Sequence, residues 1–288
     1  MMNNLPSEWF TETLLNEGVA FSLKVKEKLH DEKSEYQHIE IFLTESFGHL
    51  MVIDGRVMLT ERDHFLYHEM MTHPALFTHA NPEKVVVIGG GDCGTLKEVL
   101  KHPCVDEAWQ VEIDERVTRS AERYFPDLCS SNQDPRANFF FGDGTQWMSD
   151  AVPDSVDVII VDSADPAGQA EGLFSVDFYR NCMLALKAGG ILVQQSESPL
   201  LHGKSIIKSV HKNMWDSGFG HTHTLSFPQP VYPTGWWSAT MASKQKPLNC
   251  FREEDAEQRP FVTRYYNQDI HRGALAVPEF MKVDLGLE

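Results

Sequence analysis

Four acidic residues stand directly after apolar runs: Asp92 after VVVIGGG, Glu112 after AWQV, Asp143 after NFFFG and Asp162 after VDVIIV. Carboxylates in such places can accept paired ribose hydroxyls, hold an ammonium group or take a proton from one. Asp165 follows Asp162 on the same short turn, so one pocket would hold two carboxylates for a cationic amine and a general base among them. An acid after a strand is also an ordinary N-cap of the next helix. Four in equivalent places call for more than that role.

The elements that must position these acids centre on Lys84–Leu100, KVVVIGGGDCGTLKEVL. Val85–Ile88 is the unbroken β-branched run of a strand covered on both faces of a parallel sheet. Gly89, Gly91 and Gly94 follow in the order G-x-G-x-x-G, for a sharp turn, close approach of the backbone to a ligand and tight packing of the next helix on the strand. Glu112 lies roughly twenty residues further on, the distance at which an acid meets a ribose. Strands at Ala108, Phe139 and Asp157 alternate with helices from Gly94, Glu115 and Thr145, which predicts parallel βαβ units. In such a sheet ligands bind outside the carboxyl ends of the strands, so the acids should share a crevice. Asp162–Phe174 reads as a long loop at that end, too rich in Pro and Gly for a helix.

Ahead of this unit, Trp9 to about Ile53 alternates apolar and polar residues as a small antiparallel sheet does. A helix over Thr60–Phe77 follows, with Thr60 and Asp63 resembling a shortened capping box. The expected division is 1–77, an N-terminal β domain with its connecting helix, and 78–288, the α/β domain. Further along come a helix Ser175–Leu186, a turn Lys187–Gly190, a strand Ile191–Gln195, a helix Lys204–Trp215 and an antiparallel pair at the sheet edge. The tail from Phe251 is polar with little periodicity.

The 288 residues, 42% of them hydrophobic, can bury a large core, and the net charge of −17 argues against a nucleic-acid partner while suiting a cationic small molecule. No stretch approaches the roughly 20 apolar residues of a membrane span and the start is not that of a signal peptide, so a cytoplasmic protein is expected. Five scattered cysteines suggest neither a disulfide framework nor a zinc knuckle. His68 and His73 are one residue too far apart for H-E-x-x-H. His64 and His68 have the right spacing without a third ligand, and no metal is expected. Trp9, Trp236 and Trp237 could box a cation or pack in the core.

With these residues in view, the sequence resembles the spermidine synthases, the polyamine aminopropyltransferases. The segments that carry the likeness include EWFTE, YQHIEIF, TERDHFLYHEMMTH, VVVIGGGDCG, VEIDE, GDG, VDSADPAG, VYPTGWWS and RYYNQDIH. The resemblance implies an N-terminal antiparallel β domain followed by a Rossmann-like, methyltransferase-type doubly wound domain, assembled as a homodimer or homotetramer. It implies that the aminopropyl group of decarboxylated S-adenosylmethionine, a co-substrate rather than a bound cofactor, passes to a diamine, usually putrescine, leaving 5′-methylthioadenosine. Asp162 would be the proton acceptor, while Asp165 and Tyr232 would bind the diamine and Trp9 and Tyr67 line its slot. Gln37, His68 and Asp92 would hold the aminopropyl end of the nucleoside, Glu112 its ribose, Asp143 and Gly144 its adenine, and Gln169 belongs to the lid over it. Cys93, Met58 and Gln169 depart from the residues common in the family.

Three other readings share parts of this pattern. An S-adenosylmethionine-dependent methyltransferase would have the α/β half but not the N-terminal β unit or the paired acids of DSADP. An NAD dehydrogenase has no need of the acids in GDG and DSADP. A non-catalytic paralogue binding nucleoside or polyamine would keep the pockets without turnover. Another amine acceptor, cadaverine, agmatine or spermidine, is also compatible.

Overall fold

The computed structural model describes residues 8–166 and 168–286. Five strands come first: β1 (Trp9–Leu14), β2 (Val19–Lys33), β3 (His38–Thr44), β4 (His49–Ile53) and β5 (Arg56–Thr60), in the order β1-β2-β3-β4-β5 with every described pairing antiparallel. The alternation seen in the sequence has its physical counterpart on β3 and β4. Ile39, Ile41, Met51 and Ile53 bury against Val117, Ala121 and Phe125 of the second unit, whereas Leu50 and Val52 bury on the opposite face with Val231.

Helix α1 spans His64–Thr78. It starts later than the capping pattern predicts, because Thr60 belongs to β5 and its hydroxyl donates to the Asp63 carboxylate at 2.5 Å instead of capping a backbone group. From Tyr67 to Phe77 every side chain of α1 is buried, including His68, Glu69 and His73. Such a helix is enclosed on all sides rather than amphipathic. Tyr67, Met70, Met71, Leu76 and Phe77 join the core on one face of the second sheet, so α1 packs with the elements that follow it.

That second sheet has seven strands in the order β11-β12-β10-β9-β6-β7-β8. They are β6 (Lys84–Gly89), β7 (Glu107–Glu112), β8 (Ala137–Phe141), β9 (Val156–Asp162), β10 (Leu186–Gln195), β11 (His221–Pro228) and β12 (Trp236–Ser243). Strands β6 to β10 pair in parallel, and β11 and β12 close one edge antiparallel, as the sequence predicts. The helices between them are α2 (Gly94–Leu100), α3 (Glu115–Tyr124), α4 (Gly144–Ser149), α5 (Val176–Ala185), α6 (Pro199–His202) and α7 (Lys208–Ser217). Val85, Val87, Val158 and Ile160 bury toward α1 and α2, and Val86, Ile88, Ile159 and Val161 toward α5 and α7. A strand buried on both faces must be apolar throughout, which is why these runs carry no alternation.

Two expectations change. Lys187–Gly190 is a bulge inside β10, seen as a register shift between Leu186 and Ile191, rather than a turn before it. The polar tail forms α8 (Glu253–Glu257), α9 (Gln268–Ala274) and α10 (Glu279–Leu285). It is pinned by Glu69 of α1, whose carboxylate accepts the backbone N–H groups of Arg264, Tyr265 and Tyr266 at 2.7–2.8 Å. Among the described residues no helix is long and apolar enough to cross a membrane.

Candidate active site

The chain runs from β6 to β7 to β8 on one side and then returns to place β9 against the other side of β6. At such a switch point the loops part and leave a crevice at the strand ends. A cleft of about 360 Å³ opens there, lined among others by Gln37, His68, Asp92, Glu112, Asp143 and Asp162. The strand-end acids therefore converge, with Gly144, Tyr67 and Tyr232 on the same walls. Asp165 lines instead a smaller adjoining cavity of about 50 Å³. Tyr67, Tyr232, Met58 and Ser163 face both, so the two spaces meet beside Asp162.

Asp162 ends β9 directly beside Gly89 of β6. A side chain at Gly89 would overlap the Asp162 carbonyl, and one at Gly90 would come within 2.8 Å of its Oδ2. The glycines thus make room for an acid of the protein as much as for a ligand. Both carboxylate oxygens are held: the Tyr67 hydroxyl donates to Oδ1 at 2.7 Å and the Thr95 hydroxyl to Oδ2 at 2.6 Å. Burial raises the Asp162 pKa above the usual carboxylate range and the Asp92 charge adds to this, against His68, Thr95 and Tyr67. A carboxylate so placed is a better base than a solvated one.

Around it, Glu112 is buried and accepts the Asp114 N–H at 2.9 Å. Burial pushes its pKa up to about 7, helped by the charges of Asp114 and Asp162. Asp92 accepts the Gly94 N–H at 2.6 Å and faces His68 Nε2 at 3.2 Å. Burial alone would raise Asp92, but His68 and the Gly94 N–H outweigh it and the pKa falls. The Gln37 amide donates to Asp114 at 3.1 Å. Asp143 is an N-cap after all: it accepts the Thr145 N–H and hydroxyl at 2.7 Å each, so the modest role of a strand-end acid holds here beside its place on the cleft wall. The last glycine of G-x-G-x-x-G also differs from expectation, since the space of its absent side chain is filled by the His68 ring of α1. Cys93 takes the left-handed conformation, φ 68°, that glycine adopts without strain.

Not every candidate joins the cleft. Trp9 lies on the edge strand β1, 40% exposed, and lines neither cavity among the described residues. The Gln169 side chain falls outside the described part of the structure. The loop after Asp162 is not wholly irregular either, because Gly168–Phe174 winds into a 3-10 helix.

Other residues escape a reading by strand ends. Thr95 holds Asp162 from the first turn of α2. Glu12 reaches the smaller cavity from β1, its carboxylate accepting the Arg56 guanidinium at 3.1 Å and the Val57 N–H at 2.9 Å. The alternation of β1 holds the signal, since Glu12 shares a face with Phe10 and Leu14. Glu197 and His202 come from beyond β10, with His202 Nδ1 3.5 Å from Glu197. Burial raises Glu197 far above its ordinary value, the neighbouring Asp165 charge adds to it, and the two carboxyls hydrogen-bond. Two carboxyls in contact disfavour a charge on both at once.

A Rossmann-like sheet thus presents an acid-lined cleft at its switch point with a smaller acid-lined cavity beside it. The family model for the spermine/spermidine synthase domain matches residues 64–253, and that for the spermidine synthase tetramerisation domain matches 8–61. The chain is 60% identical over 282 residues to the polyamine aminopropyltransferase of Thioalkalivibrio sulfidiphilus (strain HL-EbGR7), covering 98% of this chain and 99% of that protein. It superposes with a TM-score of 0.94 and 35% identity on a spermidine synthase solved in complex with the transition state analogue AdoDATO, over 99% of this chain and 97% of that one. The spermidine synthase from Thermotoga maritima matches with a TM-score of 0.91 and 35% identity, over 97% of this chain and 94% of that one. The chain belongs to the spermidine synthase family and is an enzyme of the polyamine aminopropyltransferase type.

Proposed function

We propose that the enzyme transfers the aminopropyl group of decarboxylated S-adenosylmethionine to putrescine, giving spermidine and 5′-methylthioadenosine. The observation that carries this reading is the Asp162 carboxylate, oriented by Tyr67 and Thr95 where the two cavities meet. A free alkylammonium with a pKa of about 10 has no lone pair at neutral pH, so the acceptor must lose a proton before it attacks. Asp162 takes that proton; the amine nitrogen bonds to the aminopropyl carbon as the carbon–sulfur bond breaks, and the electron pair stays on sulfur. The sulfonium is already an activated leaving group, so the chemistry calls for alignment rather than a metal or redox cofactor.

In this reading Glu112 accepts the ribose hydroxyls, Asp143 and Gly144 face the adenine, Asp92 with His68 and Gln37 takes the aminopropyl end, and Gln169 serves the lid. Asp165 and Tyr232 hold the acceptor beyond Tyr67, with Trp9 further out. Glu12 and Glu197 supply charge for its far ammonium, and the small second cavity favours a short diamine. An oligomer is supported by the tetramerisation-domain match, and we extend this to a homodimer or homotetramer in the cytosol, a setting that suits five unpaired cysteines.

A mass-spectrometric assay with decarboxylated S-adenosylmethionine and putrescine, cadaverine, agmatine and spermidine tests it. Methylthioadenosine formed together with spermidine, fastest with putrescine, is expected, as is inhibition by AdoDATO. A faster product from another amine would replace putrescine. Absence of product from all four, with methylthioadenosine still binding, would leave a binding protein.

A further inference from the structure

His64 opens α1 one turn before His68, and its ring meets that of His68, Nδ1 to Nδ1 at 3.3 Å with centroids 5.4 Å apart. His68 in turn presents Nε2 to Asp92 Oδ1 at 3.2 Å. The three groups form a line ending at a carboxylate on the cleft wall. The middle ring cannot swing away, because it fills the space left by Gly94 and has the Tyr67 ring edge-on at 5.6 Å. A ring held in this way can change only its protons.

The Nδ1 to Nδ1 contact has room for one proton. As an imidazolium, His68 donates to Asp92 through Nε2 and to His64 through Nδ1. As a neutral ring keeping its proton on Nε2 toward the carboxylate, it needs a donor at Nδ1. His64 can serve either state, since a neutral imidazole carries its proton on either nitrogen. We propose that His64 is a positioning residue for the cationic end of the co-substrate: by accepting and then donating at Nδ1, it lets His68 release its proton to solvent as the ammonium reaches Asp92. This rests on the reading of Asp92 as the ammonium's partner.

The charges around the line fit that exchange. His68 is faced by Asp92, Asp162 and Glu98; burial opposes its charge, but these carboxylates raise its pKa above the ordinary value. His64 is faced by His68, Asp92, Lys97 and Arg264, and burial holds its pKa down to about 3, so it stays neutral throughout. Of the two rings, His68 is therefore the one whose charged form the surrounding carboxylates favour. An incoming ammonium and sulfonium would meet that charge in the same pocket, and loss of one proton removes the repulsion.

The test compares decarboxylated S-adenosylmethionine with methylthioadenosine, which keeps adenine and ribose but lacks the aminopropyl group, so that the titration of Glu112 cancels. Calorimetry from about pH 5.5 to about pH 8.5, in buffers of different ionisation enthalpy, gives affinity and protons released. In the wild-type enzyme the aminopropyl compound should release protons in excess of methylthioadenosine, and its relative affinity should rise with pH and then level. His64→Leu leaves the imidazolium Nδ1–H without an acceptor, so the midpoint should fall by about one pH unit. His64→Asn, whose amide can donate or accept, should restore it. An unchanged midpoint in His64→Leu, equal displacement in both variants, or no excess proton release in the wild type would overturn the proposal. Equal affinity for the two nucleosides at every pH would overturn the Asp92 assignment along with it.

Discussion

The two cavities hold their acids by different means. In the larger one, Glu112 and Asp143 are each tied to a backbone N–H within two residues, those of Asp114 and Thr145. Toward the smaller one and within it, side chains from distant elements take part: His68 for Asp92, Tyr67 and Thr95 for Asp162, Arg56 beside the Val57 N–H for Glu12, and Asp165 and Glu197 for each other. Backbone ties follow from local chain geometry and leave an acceptor fixed whatever is bound. Side-chain ties across distant elements give protonation states that change with the occupant. The first arrangement suits a nucleoside bound the same way in every turnover, the second a step in which a cation arrives and a proton leaves.

The sharpest break between the regions lies at Asp162. Asp162→Asn keeps both hydroxyl partners but cannot take a proton, so turnover should fall by roughly 10²–10⁴-fold with methylthioadenosine binding intact. Turnover near that of the wild type would remove Asp162 from the reaction. On the nucleoside side, Glu112→Ala should weaken methylthioadenosine by about 10–100-fold, the scale of lost hydrogen bonds to a charged group, with a smaller change in kcat once saturated. Equal affinity would show that the ribose lies elsewhere.

Glu112 also makes the contrast visible in stability. Its folded pKa of about 7 lies above the ordinary 4.5, so between these values the folded chain binds more protons than the unfolded one. Free-enzyme stability therefore falls as pH rises through that window. Glu112→Gln should be more stable than wild type above pH 7, by at most roughly 3 kcal/mol, with the gap closing toward pH 5. Denaturant titration at two pH values would show it, and a gap independent of pH would refute it. The smallest effect is expected in the second cavity. Glu197→Gln retains a hydrogen-bonding partner for Asp165 but loses a charge, so the KM for the amine should rise about 3–10-fold with kcat little changed. A fall in kcat alone would place Glu197 in the chemical step instead.

Much of this was legible in the chain. Apolar runs without alternation predict strands buried on both faces, and Val85–Ile88 and Val158–Val161 are such strands. The strand-end acids and glycines predict a shared crevice, because their placement depends on neighbours in sequence. The start of α1 was not legible: Thr60 has the pattern of a cap, but its hydroxyl has a nearer partner in the Asp63 carboxylate. Nor was the order of the tail, where Glu69 meets backbone N–H groups between α8 and α9 nearly two hundred positions away in the chain.

The sequence by itself determined the two kinds of sheet, the glycine turn and the acids at the strand ends, since periodicity and local backbone chemistry act over a few residues. Tertiary structure alone decided that β9 lies beside β6, that Glu12 and Glu197 meet near Asp165, and that the His68 ring fills the space left by Gly94. Such contacts join residues with no fixed separation in the chain. They are set by how twisted sheets and enclosed helices pack, and no repeating pattern along the sequence records that.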